Sequence, residues 1–313
     1  MQHLVSDSVQ NLLEGIRAGD FRQLARTITR VENNLPGTEE LLLGLQSSAK
    51  RNVVGITGPP GAGKSTLVNA LVGHWIAAGK KIAVLAVDPS SPFNLGALLG
   101  DRIRLAGFYT HPNVFIRSMA SRGSLGGLHP AIVQVTDLVR EAPFDLILIE
   151  TVGVGQSEIE IAGLADCTVV TLVPESGDEV QAMKSGLMEI ADLFVVNKGD
   201  RPQADAMVRR IRTMAHERMQ EGVETPVLKT TATSGEGVAA VARRIEKALS
   251  GTEGTTTRQQ WLRVDKAIRM AMDLLLQETS RSEIAAQLER TGGKGNLYQT
   301  AQWLRDQWRR SEG

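Results

Sequence analysis

The chain has 313 residues, with 35 Lys+Arg against 35 Asp+Glu, and is 42% hydrophobic, 22% charged and 4% aromatic. A zero formal charge argues against a protein that works through phosphate contacts to nucleic acid or through a basic patch on anionic lipid. No apolar run reaches the roughly 18 residues of a membrane span, the first residues lack the order of a secretory signal, and one cysteine, Cys167, among five histidines excludes an intramolecular disulfide and disfavours a thiolate zinc site.

What remains is a cytoplasmic enzyme or switch with one large domain and smaller additions. The first 49 residues read as a helical extension. Val9, Leu12, Leu13 and Ile16 share one helical face, and Phe21, Leu24, Ile28 and Val31 share another. Leu35-Pro36-Gly37 then breaks the pattern, and Thr38-Glu39-Glu40 predicts a capped helix start. These are packing surfaces with no catalytic group in view.

From residue 50 to 250 the texture is α/β. Val53–Ile56, Ile82–Val87, Leu146–Ile149, Thr168–Val173 and Leu193–Val196 are nearly continuous apolar runs. Such runs suit strands of a mostly parallel sheet buried on both faces, with helices between them. Functional residues are then expected at the carboxyl ends of the strands.

Gly58-Pro59-Pro60-Gly61-Ala62-Gly63-Lys64-Ser65-Thr66 follows the first strand and opens a helix. This is the phosphate-binding loop pattern in its strand–loop–helix setting. The glycines let backbone N–H groups converge on phosphate oxygens at a helix N-terminus. Lys64 adds a point charge toward the β- and γ-phosphates, and the Ser65 hydroxyl suits Mg²⁺.

Asp88-Pro89-Ser90-Ser91 ends the second strand and puts an acid on the same edge, and Asp101 is a further candidate Mg²⁺ ligand. For both, capping the following helix is the alternative. Glu150 ends the Leu146–Ile149 run, where an acid reaches Mg²⁺ directly or through water. Many GTPases carry Asp there and Gln just after the following Gly. Here Val154 follows Gly153 and the nearest glutamine is Gln156, so slow intrinsic hydrolysis is expected, with a partner or a rearrangement supplying the missing group. Gly177–Gln181 reads as a switch or an ordinary loop.

Asn197-Lys198-Gly199-Asp200 ends a further strand. A carboxylate here accepts two hydrogen bonds from the guanine ring N–H and amino group. Adenine cannot supply them, and leaving buried polar groups unpaired rejects the wrong base strongly. Asn197 would tie this loop to the phosphate loop and the Lys198 stem would cover the base. Thr231-Ala232-Thr233, after the Val227–Lys229 strand, fits the loop that backs the base.

Residues 251–313 begin with a Gly/Thr-rich linker and continue as helices, with Trp261, Val264, Ile268, Ala271 and Leu275 at helical spacing. Leu297, Ala301, Leu304 and Trp308 follow beyond Gly292–Gly295. Trp261, Trp303 and Trp308 suit packing or dimer contact, with a stacking surface for a flat ligand as the other reading.

In order, the blocks Gly58–Thr66, Ala86–Ser91, Glu150-Thr151-Val152-Gly153-Val154-Gly155-Gln156-Ser157-Glu158, Gly177–Gln181 and Asn197–Asp200 resemble the MeaB-like (ArgK/MMAA) GTPases, chaperones of adenosylcobalamin-dependent acyl-CoA mutases. The resemblance covers about residues 50–245. It implies a phosphate-loop NTPase fold, a C-terminal arm over 251–313 used for homodimerisation, and GTP, GDP and Mg²⁺ as ligands. It also implies that the partner is the cobalamin-binding subunit or domain of a mutase, which itself carries the adenosylcobalamin. The same likeness implies Mg²⁺ and switch roles for Ser65, Asp101, Glu150 and the 174–186 segment, with Lys184 and Arg104 meeting developing phosphate charge. Asn94–Arg104 and Arg117–Gly123 depart from the common pattern and look more like domains that serve isobutyryl-CoA or 2-hydroxyisobutyryl-CoA mutases. Rival readings are a nickel-type metal-insertion GTPase, a small-molecule kinase and a non-catalytic GTP-binding adaptor.

Overall fold

The computed structural model describes residues 6–46, 52–88, 105–121, 128–151, 157–176, 187–217 and 225–250, with scattered positions from 264 to 306. The chain divides into two units, Met1–Glu253 and Gly254–Gly313.

The first unit opens with α1 (Asp7–Arg17), α2 (Phe21–Glu32) and α3 (Thr38–Leu43). Then come β1 (Val53–Thr57), α4 (Lys64–Ala77), β2 (Ile82–Asp88), a 3-10 turn (Ala106–Phe108), β3 (Val114–Ala120), α5 (Ile132–Glu141) and β4 (Leu146–Glu150). The unit continues with α6 (Ser157–Leu164), β5 (Cys167–Leu172), α7 (Leu187–Ile190), β6 (Leu193–Val196), α8 (Ala204–Glu217), β7 (Val227–Lys229) and α9 (Val238–Ser250). The seven strands form one sheet in the order β3-β2-β4-β1-β5-β6-β7, and every pairing is parallel.

Successive strand residues point to opposite faces, so each apolar run feeds two cores. On one face Val53, Ala83, Leu85, Val87, Ile147 and Ile149 pack with α1, α2, α3, α5 and α6. On the other, Val54, Ile56, Val84, Leu148, Val169 and Val195 pack with α4 and α9. The N-terminal helices are thus a lid on the sheet. Leu13, Ile16, Leu24 and Ile28 are fully or almost fully buried, each contributing about 1.5–3 kcal/mol of apolar burial. Phe21 stacks on Phe144 with ring centroids 5.0 Å apart, and Arg17 pairs with Glu141 at 2.6 Å. The start of α3 differs from the sequence expectation. Its N-cap is Gly37 at φ +83° with no side-chain cap bond, because the Thr38 hydroxyl turns back to donate to Leu35 O at 2.6 Å.

At the amino edge of the sheet, aspartates satisfy backbone N–H groups that parallel pairing leaves over. Asp145 accepts from Lys81 N at 2.8 Å, and Asp192 accepts from Thr168 N at 2.7 Å. Asp166 accepts from Asn52 N and Val53 N at 3.0 and 2.9 Å. Cys167 lies at this end too, fully buried at the start of β5 and registered with Val54. Two further acids, Asp88 and Glu150, end β2 and β4 at the opposite edge.

The strand β3 was not expected. Its residues Ile116, Arg117 and Ser118 are only half-buried, as an edge position allows, so the run lacks the unbroken apolar texture of the central strands. It is held from outside by α2, where Arg117 pairs with Glu32 and donates to the Thr29 hydroxyl at 3.1 Å.

In the second unit the described positions Val264, Ala267, Ile268, Trp303 and Leu304 are helical. Among the described residues no helix is long and apolar enough to cross a membrane.

Candidate functional site

The chain leaves β1 at Thr57, turns through residues 58–63 and enters α4 at Lys64. Two glycines are obligatory there. Gly58 has φ +134°, and a Cβ on it would lie 2.0 Å from Thr171 O of β5. Gly63 has φ +82°, and a Cβ on it would lie 2.4 Å from Asn197 Nδ2. Side chains rarely adopt such φ values, and here the neighbours also leave no room. Pro60 and Gly61 are exposed at the crest, Ala62 is buried and Thr66 is half-buried.

Lys64 is 6% exposed. Its Nζ donates to Gly58 O at 2.9 Å and Pro59 O at 3.1 Å, which folds the ammonium over the concave side of the loop. Ser65 donates to Glu150 Oε1 at 2.6 Å. This contact follows from register, since Glu150 is paired with both Ile56 of β1 and Ala86 of β2. Asp88 stands two residues beyond Ala86, and its carbonyl accepts from Ser121 N at 2.9 Å. Behind the loop the hydroxyls of Thr57 and Thr151 are 2.9 Å apart, both buried. Hydroxyl and carboxyl oxygens without sulfur or nitrogen make a donor set for a hard divalent cation such as Mg²⁺. Such an ion keeps phosphate and water ligands. Among the described residues no group of three or more His, Cys, Asp or Glu able to hold a metal occurs.

A second loop meets the first through Asn197. This side chain is 2% exposed and makes four hydrogen bonds. Its Nδ2 donates to Ala62 O at 3.1 Å and Gly63 O at 3.3 Å. Its Oδ1 accepts from Thr230 Oγ1 at 3.2 Å and Ala232 N at 3.1 Å. One amide thus ties together the phosphate-binding loop, the end of β6 and the loop after β7. Lys198 takes φ +56° and its Nζ donates to Gly61 O at 2.7 Å. Asp200 is exposed. Thr231 and Ala232 are buried and Thr233 is exposed, in a turn closed by the Thr231–Glu236 bridge.

The geometry is a helix N-terminus for an anion, joined by Asn197 to a neighbouring loop that ends in a carboxylate. The family model described as "Methylmalonyl Co-A mutase-associated GTPase MeaB" matches residues 24–284. The chain belongs to the MeaB family of GTPases. A GTPase of Pyrococcus horikoshii is 44% identical over 245 residues, 76% of this chain and 77% of that protein. A GTPase of Mycobacterium tuberculosis is 37% identical over 308 residues, 93% of this chain and 92% of its own length. The mouse protein named "Methylmalonic aciduria type A homolog, mitochondrial" is 37% identical over 253 residues, 74% of this chain and 60% of that protein. A crystal structure titled "LAO/AO transport system kinase" shares the fold. Its TM-score is 0.70 at 24% identity, covering 97% of this chain and 99% of that one.

This MeaB-family GTPase therefore has the phosphate-loop fold and hydrolyses GTP. The structure brings Lys64, Ser65, Asp88 and Glu150 to one sheet edge, with Asn197, Lys198, Asp200 and Thr231–Thr233 beside them. Arg104, Asp101, Gln156 and Lys184 lie outside the described residues. Thr230 and the Thr57–Thr151 pair were not singled out from sequence. Their part is to accept or donate one hydrogen bond in a loop junction, which no spacing rule announces. His129 is buried and its Nδ1 accepts from Ala131 N at 3.0 Å at the start of α5, a packing and capping role.

Proposed function

We propose that this GTPase is a chaperone that gates the loading of adenosylcobalamin onto an acyl-CoA mutase, and protects or reactivates the loaded enzyme. The observation that carries the reading is the family match over residues 24–284, whose description names a mutase-associated GTPase. The name of the mouse relative points to the same metabolism. The departures at 94–104 and 117–123 favour an isobutyryl-CoA or 2-hydroxyisobutyryl-CoA mutase as client.

In this reading the backbone N–H groups of residues 58–66 and the Lys64 ammonium hold the phosphates. Ser65, Glu150, Asp88 and Asp101 hold Mg²⁺, which when bound neutralises charge on the β- and γ-phosphates. Asp200 accepts from the guanine N–H and amino groups, the Lys198 stem covers the base, and Thr231–Thr233 backs it. Asn197 ties the base-binding loop to the phosphate-binding loop and belongs to the nucleotide site. Gln156, Lys184 and Arg104 supply charge or position water during hydrolysis, which is slow until the client docks. The 1–49 extension, the 50–250 GTPase domain and a 251–313 dimerisation arm divide these tasks, in the cytoplasm.

The test is capture with a nonhydrolysable GTP analogue against methylmalonyl-, isobutyryl- and 2-hydroxyisobutyryl-CoA mutases, followed by GTP turnover with each. A client is retained and changes the turnover. Turnover unchanged by all three mutases defeats the proposal.

A further inference from the structure

Three cations stand on or beside the turn that carries Asp200, and each is held by another acceptor. The turn 198–201 is closed by Arg201 N donating to Lys198 O at 3.0 Å, which sets Lys198 and Arg201 on either side of Gly199-Asp200. The Lys229 stem passes beside this turn, with its Cγ 2.8 Å from where a Cβ on Gly199 would be. The Lys198 ammonium donates to Gly61 O at 2.7 Å. Lys229 is paired with Asp205 at 2.7 Å, and Arg201 with Glu175 at 2.5 Å. Among the described residues, Asp200 itself makes no hydrogen bond or ion pair.

We infer that Glu175 is a specificity-determining residue that acts by capturing Arg201, so that the Asp200 carboxylate stays available to the guanine base. The inference rests on the base-reading role given to Asp200 above. A carboxylate that must accept two hydrogen bonds from a base competes poorly when a guanidinium, with its rigid fork of donors, lies one residue away. Glu175 removes that competitor. It projects from the turn after β5, where Ser176 N donates to Val173 O at 3.0 Å, and β5 is bonded to β6 directly ahead of the base loop. The hydrogen bond from Arg201 is also the main cause that holds the Glu175 carboxyl below its ordinary range, with Lys198 a lesser contributor. Asp205 does the same for Lys229, whose ammonium is raised chiefly by that hydrogen bond.

The partners are exposed, at 44% for Arg201 and 54% for Glu175. Surface charges of this kind shift an equilibrium roughly two- to fivefold, and salt screens them. The experiment measures GDP and IDP affinity by fluorescence competition for native protein, E175A, E175Q, R201A, E175A/R201A and D200N. Inosine lacks the amino group that Asp200 reads.

The expected result is that both Glu175 variants bind GDP about two- to fivefold more weakly, with a narrowed GDP-to-IDP ratio. R201A stays near native, E175A/R201A returns to native, and the defect fades in about 1 M salt. A mere surface latch predicts instead that R201A equals E175A and that the double variant recovers nothing. That outcome, or unchanged binding by both Glu175 variants, overturns the inference. D200N separates the two levels. If it loses GDP while the Glu175 variants do not, only this inference falls. If D200N keeps GDP, the base-reading role falls with it.

Discussion

Replacing Asn197 by alanine removes the one side chain that joins three loops. It would strip partners from Ala62 O, Gly63 O, Thr230 Oγ1 and Ala232 N, now bonded at 3.1–3.3 Å. Each intramolecular hydrogen bond contributes about 0.5–1.5 kcal/mol net, so four sum to about 2–6 kcal/mol. The distances sit at the long end of the usual range, which places the total near 3 kcal/mol. All four partners belong to loops at the sheet edge and none to a helix or strand core, so most of the cost is loop disorder that nucleotide binding must reverse. At about 1.4 kcal/mol per decade, N197A should bind GDP roughly 100-fold more weakly, while the ligand-free protein melts only a few degrees lower. Titration calorimetry with GDP and circular dichroism melting measure the two parts. N197D keeps both bonds to Oδ1 but sets a carboxylate against two carbonyls, and should be no better than alanine. GDP binding by N197A within about threefold of native would refute the account of Asn197 as the junction.

Three further outcomes are expected. G58A should lose nucleotide binding and several kcal/mol of stability, because its Cβ meets the Thr171 backbone at 2.0 Å. G61A, at φ +76° with nothing within 4 Å, should lose only the roughly 1–2 kcal/mol of a left-handed backbone, and paired denaturant melts decide between them. S65A, which loses the hydroxyl 2.6 Å from Glu150, should make GTP affinity insensitive to chelation of Mg²⁺, whereas the native protein weakens about tenfold or more with EDTA, as competition binding would show. Glu246 accepts from Trp75 Nε1 at 2.9 Å and Lys80 at 2.6 Å. Burial pushes its carboxyl up, but those two bonds outweigh it and leave the group below its ordinary value of 4.5. A carboxyl lowered on folding stabilises above its unfolded value and loses that contribution as pH falls through its folded value. E246Q should therefore be less stable than native near pH 7, by under about 1 kcal/mol for so exposed a pair. The gap should close in urea melts below about pH 4.

The central strands and the phosphate-binding loop were legible because each is dictated locally. A strand buried on both faces must be apolar throughout, and a loop that converges N–H groups must place glycine at its positive-φ positions. The edge strand β3 escaped because half of its surface is free to be polar, so Arg117 and Ser118 broke the pattern without breaking the strand. The start of α3 misled for a related reason. Thr38 is a good capping residue, but its hydroxyl found Leu35 O first, and local composition does not rank two nearby acceptors. Contacts between loops were the least legible. Nothing in Pro174-Glu175-Ser176 or in Asp200-Arg201-Pro202 says that Glu175 and Arg201 meet, since the pairing exists only once β5 and β6 are side by side.

The sorting of acids along the sheet supports the Mg²⁺ proposed at the nucleotide site. At the amino edge Asp145, Asp166 and Asp192 face backbone N–H groups, which exist there because parallel strands begin with donors unpaired. At the carboxyl edge the supply of N–H donors belongs to the phosphate loop, and a polyanion needs them. Asp88 and Glu150 are each 3% exposed at this edge. They would repel the phosphates, and Lys64 is the cation folded into the phosphate-binding loop. A carboxyl group facing an anion across a hydroxyl, as Glu150 does across Ser65, costs binding energy unless a divalent ion sits between. Chelation should therefore weaken GTP more than GDP, and E150Q should shrink that difference, because the triphosphate places one more anionic group on the side where Glu150 stands.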